Sequence, residues 1–361
     1  MTAPPPSTTA RNALVIIAVV VTGAAMHWMG AIITPLLLAI FLAVMVDGFS
    51  RLIRARLPGL PPRAGTAAAI IVSAVLVVVA MIVVMSNAEG FLATLGRDQP
   101  RLDALIANTA TSLGPRAPRS LAQLLVRFDP MQYAPTVAQA LQNFGSAAVL
   151  VLIYLGFLIA ARHAFERKAV RLFASRDARH EALSVFLHIR DSIERYLWIQ
   201  TVTGFVIATG SFGVMMAVHL DHAFFWAFLV FLLNYVPILG AVAAIALPAL
   251  FALLQFGDWQ HALIVLGGLF AIAFVVGNIF VPRMQGKGLN MDPLIVMLSL
   301  AFWGTIWGLP GMFLSTPLTV LSMVVLAQFE GSQWIAILLS GDGDPLGLGL
   351  GEERHEAMPS G

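Results

Sequence analysis

The last long apolar block of this chain, from Pro293 to Phe329, carries no charged residue, yet Gly304, Gly308, Pro310, Gly311 and Pro317 interrupt it. One uniform helix of that length would run roughly 55 Å, whereas a bilayer core is about 30 Å thick. The block must fold back on itself. Gly and Pro free backbone groups that lipid cannot satisfy, so the turn has to face protein or a water-filled cavity. Membrane proteins keep their pathways at such places.

Composition supports the membrane reading. The chain is 59% hydrophobic and only 11% charged, with a mean hydropathy of +0.86, far from a soluble domain in which about a quarter of residues are charged. A net charge of +2 supplies no basic field for a nucleic-acid partner. With no Cys, disulfides, thiolate metal sites and a Cys nucleophile are excluded. The polar, Pro-rich start is followed by hydrophobicity that resumes through Ile33 to Val46, so this stretch reads as an anchor and not as a cleaved leader.

Charge-free intervals give the topology. Asn12 to Val46 is too long for one span and is broken at HWMG (His27 to Gly30) and at Thr34-Pro35, which predicts a hairpin. Arg51, Arg54, Arg56 and Arg63 follow it, and the positive-inside rule puts them in the cytoplasm. Ala64 to Ala88 then crosses outward. Residues 89–143 read as an external segment of short amphipathic helices punctuated by Pro100, Pro115, Pro118, Pro130 and Pro135. Phe144 to Ala161 returns to a cytoplasmic charged helix over 162–195, whose face is either merely solvated or a docking surface. Tyr196 to Leu220 crosses outward, with Gly204, Gly210 and Gly213 offering close helix contacts. His222 to Gly257, broken at NYVPILG and at Pro248, is a second hairpin entered from outside. Trp259 to Val281 crosses inward, and the terminal block is a third hairpin entered from inside.

The predicted fold class is an all-α, polytopic helical membrane protein. It has about six full spans plus two broken or re-entrant hairpins, about eight membrane segments in total. Residues 1–340 form a single transmembrane domain, and 341–361 form a disordered cytoplasmic tail. Both termini are cytoplasmic in this scheme. Opposed broken elements that meet near the midplane are a recurring transporter plan.

Candidate pathway residues follow from that plan. Asn234 lies deep in an apolar run before Pro237, and Asn278 lies one helical turn before Pro282. Each amide either satisfies carbonyls freed by the kink or meets a polar solute. Arg283 marks topology, pairs with Asp292 or meets an anionic solute. Gly308, Pro310, Gly311 and Pro317 form the turn of the terminal block. His27 reads as a packing histidine or a member of a proton relay, and Trp303 and Trp307 as packing anchors or a stacking platform.

No Asp or Glu lies within 222–257, 259–282 or 293–329, and Asp47, Glu89, Asp221 and Asp258 all sit near span ends. That disfavours a cation exchanger built on a central carboxylate pair. No nucleotide-binding loop, metalloprotease helix or nucleophile elbow occurs, so neither an enzyme, a metal site nor a cofactor is expected.

Three stretches in this order, RDSIERYLWIQTVTG, FLLNYVPILGAVAAIALPALFALLQFG and VVGNIFVPRMQGKGLNMDP running on into FWGTIWGLPGMFLSTPLT, resemble the autoinducer-2 exporter family of bacterial membrane proteins. The final run, followed by GSQWIAILLSG, is most similar to the branch containing the enteric exporter of that signal. The resemblance implies a secondary transporter or efflux protein of the bacterial inner membrane, with about eight segments, assembled as a homo-oligomer. It implies as partners membrane lipid and a small polar solute, with or without a coupling ion. The family's signal is a small polyhydroxylated compound used in quorum sensing, which amides such as Asn234 and Asn278 suit better than carboxylates do. Other members imply sodium/proton exchange instead, and a non-transporting scaffold or sensor remains the alternative of a different class.

Overall fold

The computed structural model describes residues 8–56, 61, 64–65, 67–80, 82–83, 86–87, 139, 145–161, 176–285, 291–329 and 331–344. Nearly all of the external segment predicted over 89–143, the stretch 162–175 and the tail beyond 344 lie outside the described residues. Among the described residues every regular element is helical, and the only extended pairing is the isolated bridge between Met291 and Ser340. Five helices are long and apolar enough to cross a membrane, and three shorter apolar ones accompany them. The protein is a polytopic helical membrane protein.

The helices are α1 (Thr8–Trp28), α2 (Gly30–Arg56), α3 (Ala67–Ala80), α4 (Gly145–Ala161), α5 (Arg176–Ala217), α6 (Ala223–Leu233), α7 (Leu239–Phe256), α8 (Trp259–Val275), α9 (Pro293–Ala327) and α10 (Gln333–Leu339). The first expected break falls at Met29, within HWMG. Thr34-Pro35 does not break the chain; Pro35 sits inside the second turn of α2, which continues past it. The charged stretch from Arg176 and the crossing that follows it form one continuous helix of 42 residues.

The second expected hairpin has its break at Asn234 to Ile238, while Pro248 is accommodated inside α7. α6 has 11 residues and so reaches roughly 16 Å, about half a bilayer core. Both ends of the hairpin lie on one side: the Asp221 N–H donates to Gln255 Oε1 at 2.8 Å, and Gln255 Nε2 donates to the His219 carbonyl at 3.1 Å. Asn87, beyond α3, reaches the same base through His222 Nδ1 at 3.3 Å.

α8 starts at that base, capped by Asp258, whose Oδ1 accepts from the His261 N–H at 2.8 Å. This bond holds the Asp258 carboxyl below the usual carboxylate range. The cap is therefore fully formed above the ordinary carboxylate pKa and is lost as pH falls through the depressed one. The helix runs on through a π turn, Val276–Phe280, to Gln285. Pro282 explains the wider turn, because its ring would clash with the carbonyl of Asn278 in a regular α-helix. The Val281 N–H instead donates to the Val276 carbonyl.

The terminal block is two arms. Gly308 takes φ 63°, ψ −142°, a conformation open essentially to glycine alone, and splits α9 there. Trp303 Nε1 on the first arm donates to Thr319 Oγ1 on the second at 3.0 Å, so the arms lie side by side. The Met291–Ser340 bridge closes the base, and Asp292 caps the first arm by accepting from the Leu294 N–H at 2.7 Å. The span from Trp259 to Met284 separates the two bases by 26 residues, roughly 39 Å of helix. The two hairpins thus enter from opposite sides.

Close approach of the arms rests on glycine. A Cβ at Gly311 would overlap the Trp303 carbonyl, and one at Gly240 would overlap the Leu233 carbonyl. Gly267, on the open face of α8, has nothing within 4 Å. Gly311→Ala is expected to lower unfolding stability by about 3 kcal/mol, as overpacking does, whereas Gly267→Ala should stay within about 0.5 kcal/mol of wild type. Thermal unfolding of the purified variants in detergent checks both.

Candidate functional site

The two hairpin tips meet against the middle of α5. Tyr235, at the tip of the first hairpin, stacks on Phe313 of the second with ring centroids 4.8 Å apart. Around this contact the buried side chains of Phe41, Ile193, Leu197, Trp303, Trp307 and Leu314 form a continuous apolar cluster. Trp303 and Trp307 stack at 5.2 Å, and each uses its indole N–H structurally, Trp307 toward the Met26 carbonyl at 2.9 Å. His27 joins the same junction through Nδ1, which donates to the Ile306 carbonyl at 2.7 Å. The break between α1 and α2 is thereby docked on the second hairpin.

Within the apolar cluster lies a run of neutral polar groups. The Thr201 hydroxyl donates to the Leu197 carbonyl at 2.6 Å, so its bond to the Tyr235 hydroxyl, also 2.6 Å, has tyrosine as donor. Gln200 Nε2 donates to the Tyr196 hydroxyl at 3.2 Å and to the Asn234 carbonyl at 3.3 Å. Asn234 returns the contact, its Nδ2 donating to the Gln200 carbonyl at 3.0 Å and to Thr203 Oγ1 at 3.4 Å. Gly204 permits this, because a Cβ there would come 3.0 Å from Asn234 Nδ2. The buried Thr316 hydroxyl stands next to that of Tyr196 without closing a hydrogen bond of normal geometry. It is a polar group poised for another partner.

The tip itself is strained. Ile238 takes φ 59°, ψ −66° in a three-residue turn closed by the Leu239 N–H and the Pro237 carbonyl at 2.6 Å. A β-branched residue at positive φ is a real outlier, and such turns cluster where the backbone has a task.

The sequence candidates divide into two groups. Asn234 and Pro237 form one tip; Gly308, Pro310, Gly311 and Pro317 form the turn and inner arm of the other, which the Tyr235–Phe313 stack brings against the first. Asn278, Pro282 and Arg283 lie apart, exposed at the far end of α8. The Asn278 amide donates to the Phe274 carbonyl at 2.8 Å, four residues back on its own helix. Of the close helix contacts expected on α5, Gly204 meets Asn234 and Gly210 meets Ile272, but Gly213 faces open space.

Sequence reasoning did not single out Tyr196, Gln200, Thr201, Thr203, Tyr235 and Thr316. Their signal was three polar residues at Gln200, Thr201 and Thr203 in mid-span, which the membrane rules make conspicuous. It also missed two ion pairs at the opposite end of α5 from the first hairpin's base. Asp47 pairs with Arg190 at 3.6 Å, and Arg51 pairs with Glu194. From the sequence Arg51 marks topology, and Arg190 and Glu194 belong to a charged helix whose face is either solvated or a docking surface. Here they clamp α2 to α5 within two helical turns of Tyr196.

Two broken hairpins that meet by an aromatic stack, against a central helix carrying neutral hydrogen-bonding groups, fit the plan of a membrane transporter. The chain belongs to the AI-2E transporter family, whose sequence profile matches residues 15–331. It is 31% identical over 318 residues to the AI-2 transport protein TqsA of Escherichia coli, covering 86% of this chain and 89% of that one. It is 30% identical over 340 residues to a protein of Haemophilus influenzae named only for transport, covering 91% and 96%. A third relative, YhhT of Escherichia coli, assigned to transport by name alone, is 38% identical over 158 residues, 42% of this chain and 43% of that one.

The Thr201–Tyr235 bond can be measured directly. Thr201→Val leaves the Tyr235 hydroxyl without its partner and Tyr235→Phe removes the donor to Thr201, so the double variant is expected to be less destabilised than the sum of the singles. A coupling of about 1 kcal/mol in a double-mutant cycle of thermal unfolding is the expected result.

Proposed function

We propose that the protein is a secondary transporter that exports a small, uncharged, hydroxyl-rich solute through the junction of the two hairpin tips, with autoinducer-2 as the first candidate. The carrying observation is the chemistry of that junction. Tyr196, Gln200, Thr201, Asn234, Tyr235 and Thr316 offer donors and acceptors without one formal charge, and the Thr316 hydroxyl has bonding capacity to spare. A hydroxylated solute satisfies such groups, whereas an ion would lack a counter-charge. The name of the Escherichia coli relative points to the same solute.

In this reading Asn234 and Pro237 contact the solute from one side, and Gly308, Pro310, Gly311 and Pro317 shape the other. Asn278, Pro282 and Arg283 form the inner mouth at the end of α8. The protein resides in the bacterial inner membrane with both termini cytoplasmic. It works as a homo-oligomer whose lipid-facing surface includes the exposed Phe205, Leu263 and Phe270.

The test is flux in liposomes holding the purified protein, with autoinducer-2, sodium and protons followed side by side. Asn234→Leu is expected to cut autoinducer-2 flux about tenfold, equivalent to about 1.4 kcal/mol, at unchanged protein level and assembly. Asn278→Leu, whose amide serves its own helix, should stay within about twofold of wild type. Undiminished flux in Asn234→Leu would remove the tip from the pathway. Sodium-dependent proton movement without solute flux would favour exchange, and no flux of any kind would favour a scaffold.

A further inference from the structure

A cavity of about 30 Å³, open to the centres of water molecules, lies behind the tip of the first hairpin. It lies between α5, the two hairpin arms and α8, with the exposed Ala241 at its rim, and its polar lining residues are Ser211 and Asn234. Val230, Ala244 and Leu269 supply apolar wall. Ser211 is completely buried and its hydroxyl has no hydrogen-bond partner. Several helical hydroxyls in this protein bond back to the carbonyl four residues earlier, as Thr203, Thr305 and Ser322 do at 2.7–2.8 Å, whereas Ser211 shares its lack of a partner with Ser73 and Thr316. Ser211 forgoes that bond and borders the cavity instead.

We propose that this cavity is a buried hydration site, in which about one or two water molecules bond the Ser211 hydroxyl and the Asn234 carboxamide. The space suffices, since a water needs about 10–15 Å³ by this measure. The polar requirement is met by a hydroxyl that both donates and accepts and by an amide at the same wall. A dry cavity would leave Ser211 desolvated without compensation, which native interiors avoid. Asn234 then has protein partners on one side, Gln200 and Thr203, and water on the other. The carboxamide at the hairpin tip is kept solvated inside the membrane. The site depends on Ser211 and the cavity, not on which solute crosses.

The proposal fixes the sign of two substitutions and of their coupling. Water bonded to Ser211 is lost in Ser211→Ala and expelled in Ala244→Val, so each variant should lower the unfolding midpoint by roughly 2–4 °C. The double variant makes the cavity apolar and filled, and it should unfold no lower than either single. Helix propensities cancel in that cycle. A cavity that is dry or occupied by a lipid chain predicts the reverse: Ser211→Ala raises the midpoint by removing an unsatisfied hydroxyl, and the two effects add. Either result overturns the proposal. Radiolytic hydroxyl-radical footprinting of the intact protein in lipid nanodiscs gives an independent readout. Leu269, only 1% exposed, should be oxidised well above Leu155, at 2%, and should lose that excess in Ala244→Val. Equal labelling of the two leucines in wild type would show that no water reaches the cavity.

Discussion

Everything in this protein turns on one constraint: a backbone that stops being helical inside a membrane must find partners for its freed polar groups within the protein. Two hairpins break the helical rule within long apolar stretches, one at Asn234 to Ile238 and the other at Gly308. Neither could stand alone in lipid. Each is made tolerable by the other and by α5, through the Tyr235–Phe313 stack, the Gln200–Asn234 exchange and the docking of Trp307 on the α1–α2 break. The small residues serve the same end, since Gly240 and Gly311 are where backbone comes too close for any side chain and Gly204 is where the Asn234 amide packs tightly.

Charge and polarity are separated along α5. Its charged end holds α2 through Asp47–Arg190 and Arg51–Glu194, while its mid-span carries only neutral hydrogen-bonding groups. Ion pairs at the edge of a membrane keep partial access to water and escape the full desolvation cost of burial. The neutral groups farther in retain the ability to donate and accept without that cost. A helix built this way can anchor at one end and offer a selective surface in the middle.

Much of the fold was legible because lipid makes sequence speak plainly. Unbroken apolar runs, the placement of arginines and the Gly/Pro interruptions were enough to locate both late hairpins and to set them on opposite sides. The same logic overstated some breaks: Thr34-Pro35 and Pro248 read as interruptions, yet α2 and α7 absorb both prolines. Asn234 was legible as a polar group in an apolar run. Its partners were not, because Gln200 and Thr203 acquire meaning only when a tip more than thirty positions away folds against them, and no local pattern encodes that pairing. Asn278 shows the converse. It carries the same surface signal as Asn234, but the π turn made by Pro282 lets its amide serve its own helix.

The strain at Ile238 bears on what the first tip is for. If rigidity were the only requirement, glycine at position 238 would remove a positive-φ penalty that a β-branched side chain incurs. The outlier sits between Asn234, which faces α5, and α7, whose second turn borders the cavity. A turn under strain, beside space that is not filled by side chains, has somewhere to go at low cost. The opposing tip has no such freedom, because Gly308 is relaxed at its unusual angles and Trp303, Trp307 and Thr319 tie its arms together. The two tips therefore differ in kind: the first is strained at Ile238 and borders unfilled space, whereas the second is relaxed at Gly308 and tied by Trp303, Trp307 and Thr319.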